Sequence, residues 1–151
     1  MKDQIIEGRT LENSSVEMWR RAEKLLDEAR DLYDSYDYPG CICRAQECVE
    51  LTLKAIFGIF GKEYPKKHDV SEELARICNK FPTWFYEKLA KIKVSSKLLA
   101  WWRKLALYGD EDLKLPPERI FGEVEAKLAL VHAEEISSAF MRLLIEQKGN
   151  V

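Results

Sequence analysis

The stretch 38-YPGCICRAQECVELTLKAIF-57 limits the fold more tightly than any other part of the chain. At 100° per residue, Ile42, Ala45, Val49, Leu53, Ile56 and Phe60 fall within a band of roughly 80°. Cys41, Cys48, Thr52, Ala55 and Ile59 make a second band of small residues beside it. The joint apolar arc spans roughly 160°, wide enough for a helix that neighbours cover from more than one side. The segment is predicted to be the middle helix of a bundle.

The same spacing decides what the cysteines do. Cys41 and Cys48 sit in the apolar arc, where thiols behave as small hydrophobes. Cys43 points roughly 140° away from Cys48, so the three cannot converge on one zinc, and Cys78 is the only further thiol. Packing is expected, with no metal site, no disulfide and no cofactor.

Helical spacing continues along the chain. Ser14 with Glu17 reads as a capping box. Met18, Ala22, Leu25, Leu26, Ala29, Leu32, Tyr33 and Tyr36 then recur through a first helix over about 14–36, after a loose arm over 1–13. Asp37 and Pro39 start the second helix, and Gly61 and Pro65 stop it after Phe60. Asp69 opens a short third helix ending near Asn79. Pro82 opens a fourth reaching about Leu107, with a break or kink at Val94-Ser95-Ser96. Residues 108–122 are a loop by composition, 123–147 form the last helix, and 148–151 a tail.

With seven Gly and five Pro in 151 residues and no alternating pattern, no strand is expected. The fold class is all-α: an up-and-down bundle of four to five helices in one domain over 14–147. Leu25, Val49, Leu53, Ile56, Leu130, Ala133 and Phe140 are its predicted core. A net charge of -2 argues against a general polyanion binder. No apolar run approaches the roughly 18 residues of a membrane span, and MKDQIIEGRT is too charged for a signal peptide. A cytoplasmic address is expected. Three Asn and three Gln against many Glu and Lys fit a thermophile.

Four fragments in order carry a family likeness. Residues 43–56, Cys-Arg-Ala-Gln-Glu-Cys-Val-Glu-Leu-Thr-Leu-Lys-Ala-Ile, are followed by His68-Asp-Val-Ser-Glu-Glu-Leu. Next come 108-YGDEDLKLPPERIF-121 and Leu130-Val-His-Ala-Glu-Glu-Ile. Over about 19–145 the chain resembles the HEPN domain family. That resemblance implies a four- or five-helix bundle, a homodimer and a prokaryotic source. It also implies a minimal nucleotidyltransferase as partner for many members, and ribonuclease activity in others.

The ribonuclease members place a His four to six residues after an Arg near the end of a late helix. In 103-RKLALYGD-110 the Arg is Arg103, and Tyr108 stands where the His would be. A phenol, ordinarily titrating near pH 10, is a poor general base at neutral pH, whereas imidazole titrates in the working range. His68 and His132 are the only histidines, and neither has that spacing from an Arg.

The candidate phosphate-binding cleft therefore comprises Arg103, Tyr108, Asp110, His68 and Lys67, with no catalytic set. The planar fork of Arg103 suits phosphate oxygens, or else pairs with a carboxylate such as Asp110 or Glu111. His68, behind Lys66 and Lys67 and ahead of a helix start, either closes the loop or touches a nucleotide. His132 is expected to be structural. Lys93, Lys97 and Lys104 share a face of the fourth helix, either a solvated stripe or a patch for RNA or nucleotide phosphate. Trp101 and Trp102 exceed what one small bundle covers, which favours a two-fold dimer.

The leading expectation is a non-catalytic helical dimer, a nucleotide-binding or interaction partner of a nucleotidyltransferase in a toxin–antitoxin-like pair. The competing readings are a ribonuclease toxin using Arg103 with Tyr108 or a partner's base, and a plain helical adaptor.

Overall fold

The computed structural model describes residues 2–149, with side chains from Leu11 onward. Among the described residues seven α-helices follow one another: α1 (Lys2–Asp34), α2 (Tyr38–Ile59), α3 (Ser71–Arg76), α4 (Thr83–Tyr86), α5 (Leu89–Tyr108), α6 (Pro117–Ile120) and α7 (Glu123–Gly149). A 3-10 turn at Cys78–Lys80 follows α3. Among the described residues the only β-type pairing is an isolated bridge between Asp110 and Leu115. The fold is an all-α bundle of four long helices, with α3, α4 and α6 as short connectors.

Local chemistry sets most of the helix ends. Asp37 caps α2 by accepting a hydrogen bond from the Gly40 amide at 2.9 Å, with Pro39 in the first turn. At the other end Gly61 takes φ +69. Its amide reaches the Gly58 carbonyl and the Lys62 amide reaches that of Phe57, the paired bonds of a Schellman stop. The end of α1 uses the same pair of bonds, from Tyr36 to Tyr33 and from Asp37 to Leu32, but puts Tyr36 at φ +65. A tyrosine there is strained, since its Cβ crowds the carbonyl in the left-handed region.

Helix α2 is the axis of the fold and packs against α1, α5 and α7. Leu53, Ile56, Val49, Leu130, Ala133 and Phe140 are all buried, as the periodicity predicts. Leu25 is a correction: it lies half-buried at the edge while Leu26 takes the core position. Cys43 is buried along with Cys41 and Cys48, on the side of α2 that packs against α5. Burial pushes the Cys41 and Cys48 thiols up to about 12, which makes them inert packing groups. Gly58 lies where α1 crosses closest, and a Cβ there would meet the Ser15 side chain and the Leu11 carbonyl.

Other boundaries move. The arm expected over 1–13 is helical from Lys2, so Ser14 lies inside α1 and caps nothing. The expected tail begins inside α7, which continues to Gly149; Met1, Asn150 and Val151 lie outside the described residues. The predicted fourth helix is two helices, and its break falls at Glu87-Lys88 rather than at Ser95-Ser96. Both serines are buried in mid-helix with their hydroxyls engaged: Ser95 with His132 Nδ1 at 2.8 Å, Ser96 donating to Asp69 at 2.7 Å. The expected loop 108–122 contains the single turn α6. Among the described residues, no helix is long and apolar enough to cross a membrane.

Candidate functional site

The partly buried edge of α2 carries Arg44, Glu47, Glu50 and Lys54, with Arg103 of α5 on Glu47 and His68 of the loop before α3 on Glu50. Arg103 reaches across from α5. Its guanidinium donates to Gln46 Oε1 and to Glu47 Oε1, each at 3.3 Å. Arg44 holds the same Glu47 from the other side at 2.9 Å. Gln46, almost fully buried, passes the chain on by donating to Glu50 at 3.3 Å. Glu50 in turn meets Lys54 at 3.2 Å and His68 Nδ1 at 2.9 Å. One polar ladder thus links Arg103 to His68 through two carboxylates and an amide.

The expected pairing of Arg103 with Asp110 or Glu111 is therefore replaced by Glu47. Helical angle shows which face Arg103 occupies but not which helix lies opposite. Two of the five fork hydrogens are engaged, which leaves three for another acceptor.

A groove of about 290 Å³ opens over this ladder, lined by Gln46, His68, Ala100, Arg103, Lys104 and Tyr108, with Leu107. Three of the five residues expected in a cleft, Arg103, Tyr108 and His68, border it. The other two lie elsewhere. Lys67 pairs with Glu73 near the start of α3. Asp110 shapes the following turn: its carboxylate accepts from the Leu113 amide at 3.0 Å, and its backbone bridges Leu115. Gly109, at φ +71, permits that turn, since a Cβ would collide with the Leu115 carbonyl. Gln46, Glu47 and Glu50 are the members of this ladder that sequence reasoning missed. Their i, i+1, i+4 placement on one helix was legible, but their partners 18 and 56 positions away were not.

The groove holds Arg103, Lys104 and, when protonated, His68 around a phosphate-sized space. Its side chains are half-open to water: Arg103 is 28% exposed and His68 76%. Tyr108, 66% exposed, stands at the rim. Among the described residues no cluster of His, Cys, Asp and Glu could hold a metal ion.

The lysine stripe of α5 is partly neutralised. Lys93 and Lys97 both pair with Glu72, and Lys91 pairs with Glu135. The apolar part of the same helix is not covered. Val94, Trp101 and Tyr108 are exposed at seven-residue spacing, with half-buried Leu98 and Leu105 between them. Trp102, by contrast, packs edge-on against Phe121 at 5.6 Å. The other histidine lies away from this groove. His132 takes Ser95 as its partner, and burial holds it below the ordinary imidazole value.

A family model described as HEPN domain matches residues 15–144, from the first turns of α1 beside Gly58 to the core end of α7. No curated protein and no solved structure matches the chain.

Proposed function

Because the chain belongs to the HEPN family, we propose that it is a non-catalytic helical dimer. It binds a nucleotide phosphate in the Arg103 groove and serves as partner to a minimal nucleotidyltransferase, in a toxin–antitoxin-like pair. The observation that carries this reading is the convergence of Arg103, Lys104 and His68 on one groove. A guanidinium already oriented by Gln46 and Glu47 presents its remaining donors with little entropy left to lose. If Arg103 turns to phosphate, Arg44 still compensates Glu47.

Dimerisation is supported by the apolar seam on α5. Val94, Leu98, Trp101, Leu105 and Tyr108 alternate by four and three residues, the spacing of a helix that packs along another. Tyr108 belongs both to the seam and to the groove rim, so a second copy on the seam brings two grooves near one another.

One observation favours a second reading, a metal-independent ribonuclease. Spacing along the chain excludes His68 as a partner for Arg103, yet the fold sets it at the same groove. Glu50 engages its Nδ1, which leaves Nε2 directed away from that bond as a candidate base. Incubation with a mixed RNA pool separates the two. The partner reading predicts no cleavage, together with AMP binding that weakens at least tenfold in Arg103→Ala. Cleavage that is lost in both His68→Ala and Arg103→Ala reverses the assignment.

A further inference from the structure

While Lys91, Lys93 and Lys97 of α5 meet carboxylates, three cations of α1 do not. Arg20, Arg21 and Lys24 are exposed and, among the described residues, form no ion pair. They border a trough of about 690 Å³ between α1 and α2, together with Glu17, Met18 and Leu51. Through Ser14 and Met18 the trough continues into a second hollow of about 370 Å³, where Lys54, Lys62 and Lys66 add their charges. Against six cations the two hollows set Glu17 and Glu63, in a chain whose net charge is -2. Lys54 is held by Glu50, but the other five meet no carboxylate among the described residues. Like charges gathered on one side of an acidic protein repel one another, so an anionic occupant relieves a cost that the fold carries.

The floor is apolar. Leu11, Met18 and Leu51 are half-buried along it, and Gly58 contributes backbone only. Cationic rims over an apolar floor match a ligand with an apolar side and acidic flanks. The lining of α1 from Leu11 to Lys24 is about 20 Å long at 1.5 Å per residue, the length of a helix of three to four turns. We infer that this groove docks an acidic amphipathic helix of a protein partner.

A single-stranded nucleic acid fits less well. Such ligands draw their affinity from bases stacked on aromatic rings as well as from phosphate contacts. The one aromatic ring in the groove, Tyr64, already has the Lys54 ammonium 5.3 Å from its centroid. Arg103 borders neither hollow, and although Lys54 also meets Glu50 of the Arg103 ladder, Arg103→Ala separates this inference from the phosphate reading.

The test uses the full chain and a fluorescein-labelled 16-residue peptide with Leu at heptad a and d positions and Glu elsewhere. Two controls run beside it: a peptide of the same composition without the heptad order, and an oligouridylate of equal charge. Expected is saturable anisotropy for the heptad peptide, at least tenfold weaker in Arg21→Glu/Lys24→Glu and in Leu51→Glu, and unchanged in Arg103→Ala. The first pair is on the surface, and circular dichroism melts confirm that each variant is folded. Equal binding of the disordered-pattern peptide overturns the amphipathic helix as occupant. Tighter binding of the oligouridylate, lost in the same variants, overturns the protein partner in favour of nucleic acid. Undiminished peptide binding in Arg21→Glu/Lys24→Glu overturns the groove itself.

Discussion

Removing the Asp69 carboxylate should loosen the loop that carries His68. That group accepts from the Ser71 amide at 3.0 Å, from Ser71 Oγ at 2.7 Å and from Ser96 Oγ at 2.7 Å. It therefore caps the start of α3 and ties it to the middle of α5, and both serines are buried. Losing the cap costs about 1 kcal/mol. Stranding the buried Ser96 hydroxyl costs about 1–3 kcal/mol, reduced because a helical serine can turn back to a carbonyl four residues earlier. Asp69→Ala is thus expected to destabilise by roughly 2–3 kcal/mol. Ser96→Ala alone is expected to cost roughly 1 kcal/mol, and the double variant little more than Asp69→Ala. Urea melts of the four proteins give the coupling energy directly. A coupling below about 0.5 kcal/mol refutes the tie between α3 and α5. Acid supplies a second readout. Although burial alone raises the Asp69 carboxyl, the three donated bonds and Lys97 hold it below its ordinary value of 3.8. A depressed carboxylate stabilises fully above 3.8 and loses that contribution as pH falls through its folded value. Wild type and Asp69→Ala should therefore converge below pH 3.8 and differ by a constant amount above it.

Four further outcomes are expected. Tyr36→Gly relieves the strain at φ +65 and should stabilise by about 1 kcal/mol in thermal melts, less the loss of the ring's edge contact with Tyr38. Leu53→Asp buries an unpaired carboxylate at a fully buried position and should abolish the cooperative melt, at a cost of several kcal/mol. His132 is held below 6.5 chiefly by burial, with Lys91 adding to the shift and Glu135 opposing it. The stability due to its neutral form is complete above pH 6.5 and declines below it, so His132→Gln should flatten the pH–stability curve on the acid side of 6.5. Trp101→Glu puts a charge in the exposed seam of α5, and light scattering at tens of micromolar should report a dimer for the wild type and a monomer for the variant.

The residues show unevenly how far a sequence discloses its fold. The α2 boundaries were legible because Asp37, Pro39 and Gly61 act within a few positions of themselves. The apolar arc of α2 was legible because 3.6-residue periodicity is also local. Ser95 and Ser96 looked like a break because serine competes with helical hydrogen bonds. His132 and Asp69, 37 and 27 positions away, remove that competition by taking both hydroxyls. Arg103 borders a groove, yet its carboxylate was sought nearby in sequence rather than at Glu47. His68 was included in the cleft but passed over as the histidine of an Arg–His pair, as chain spacing says nothing about the groove it shares with Arg103. Asp110 and Lys67 were drawn into the candidate site by proximity in the chain, and backbone turns and Glu73 account for them instead.

Gly58 and Ser15 act as a key in a slot. Two long antiparallel helices packed through interchangeable aliphatic side chains can slide past one another by a turn, 5.4 Å, and repack at modest cost. Here such a slip would bring Leu11 or Trp19 onto the one point of α2 where no side chain fits. The offset between α1 and α2 is consequently fixed by an absence of atoms rather than by any bond. The spacing between the cations on α1 and those on α2 is inherited from that fit. A methyl group at position 58 should then be felt twice: once as lost stability, and again as a changed distance between Lys24 and Lys54.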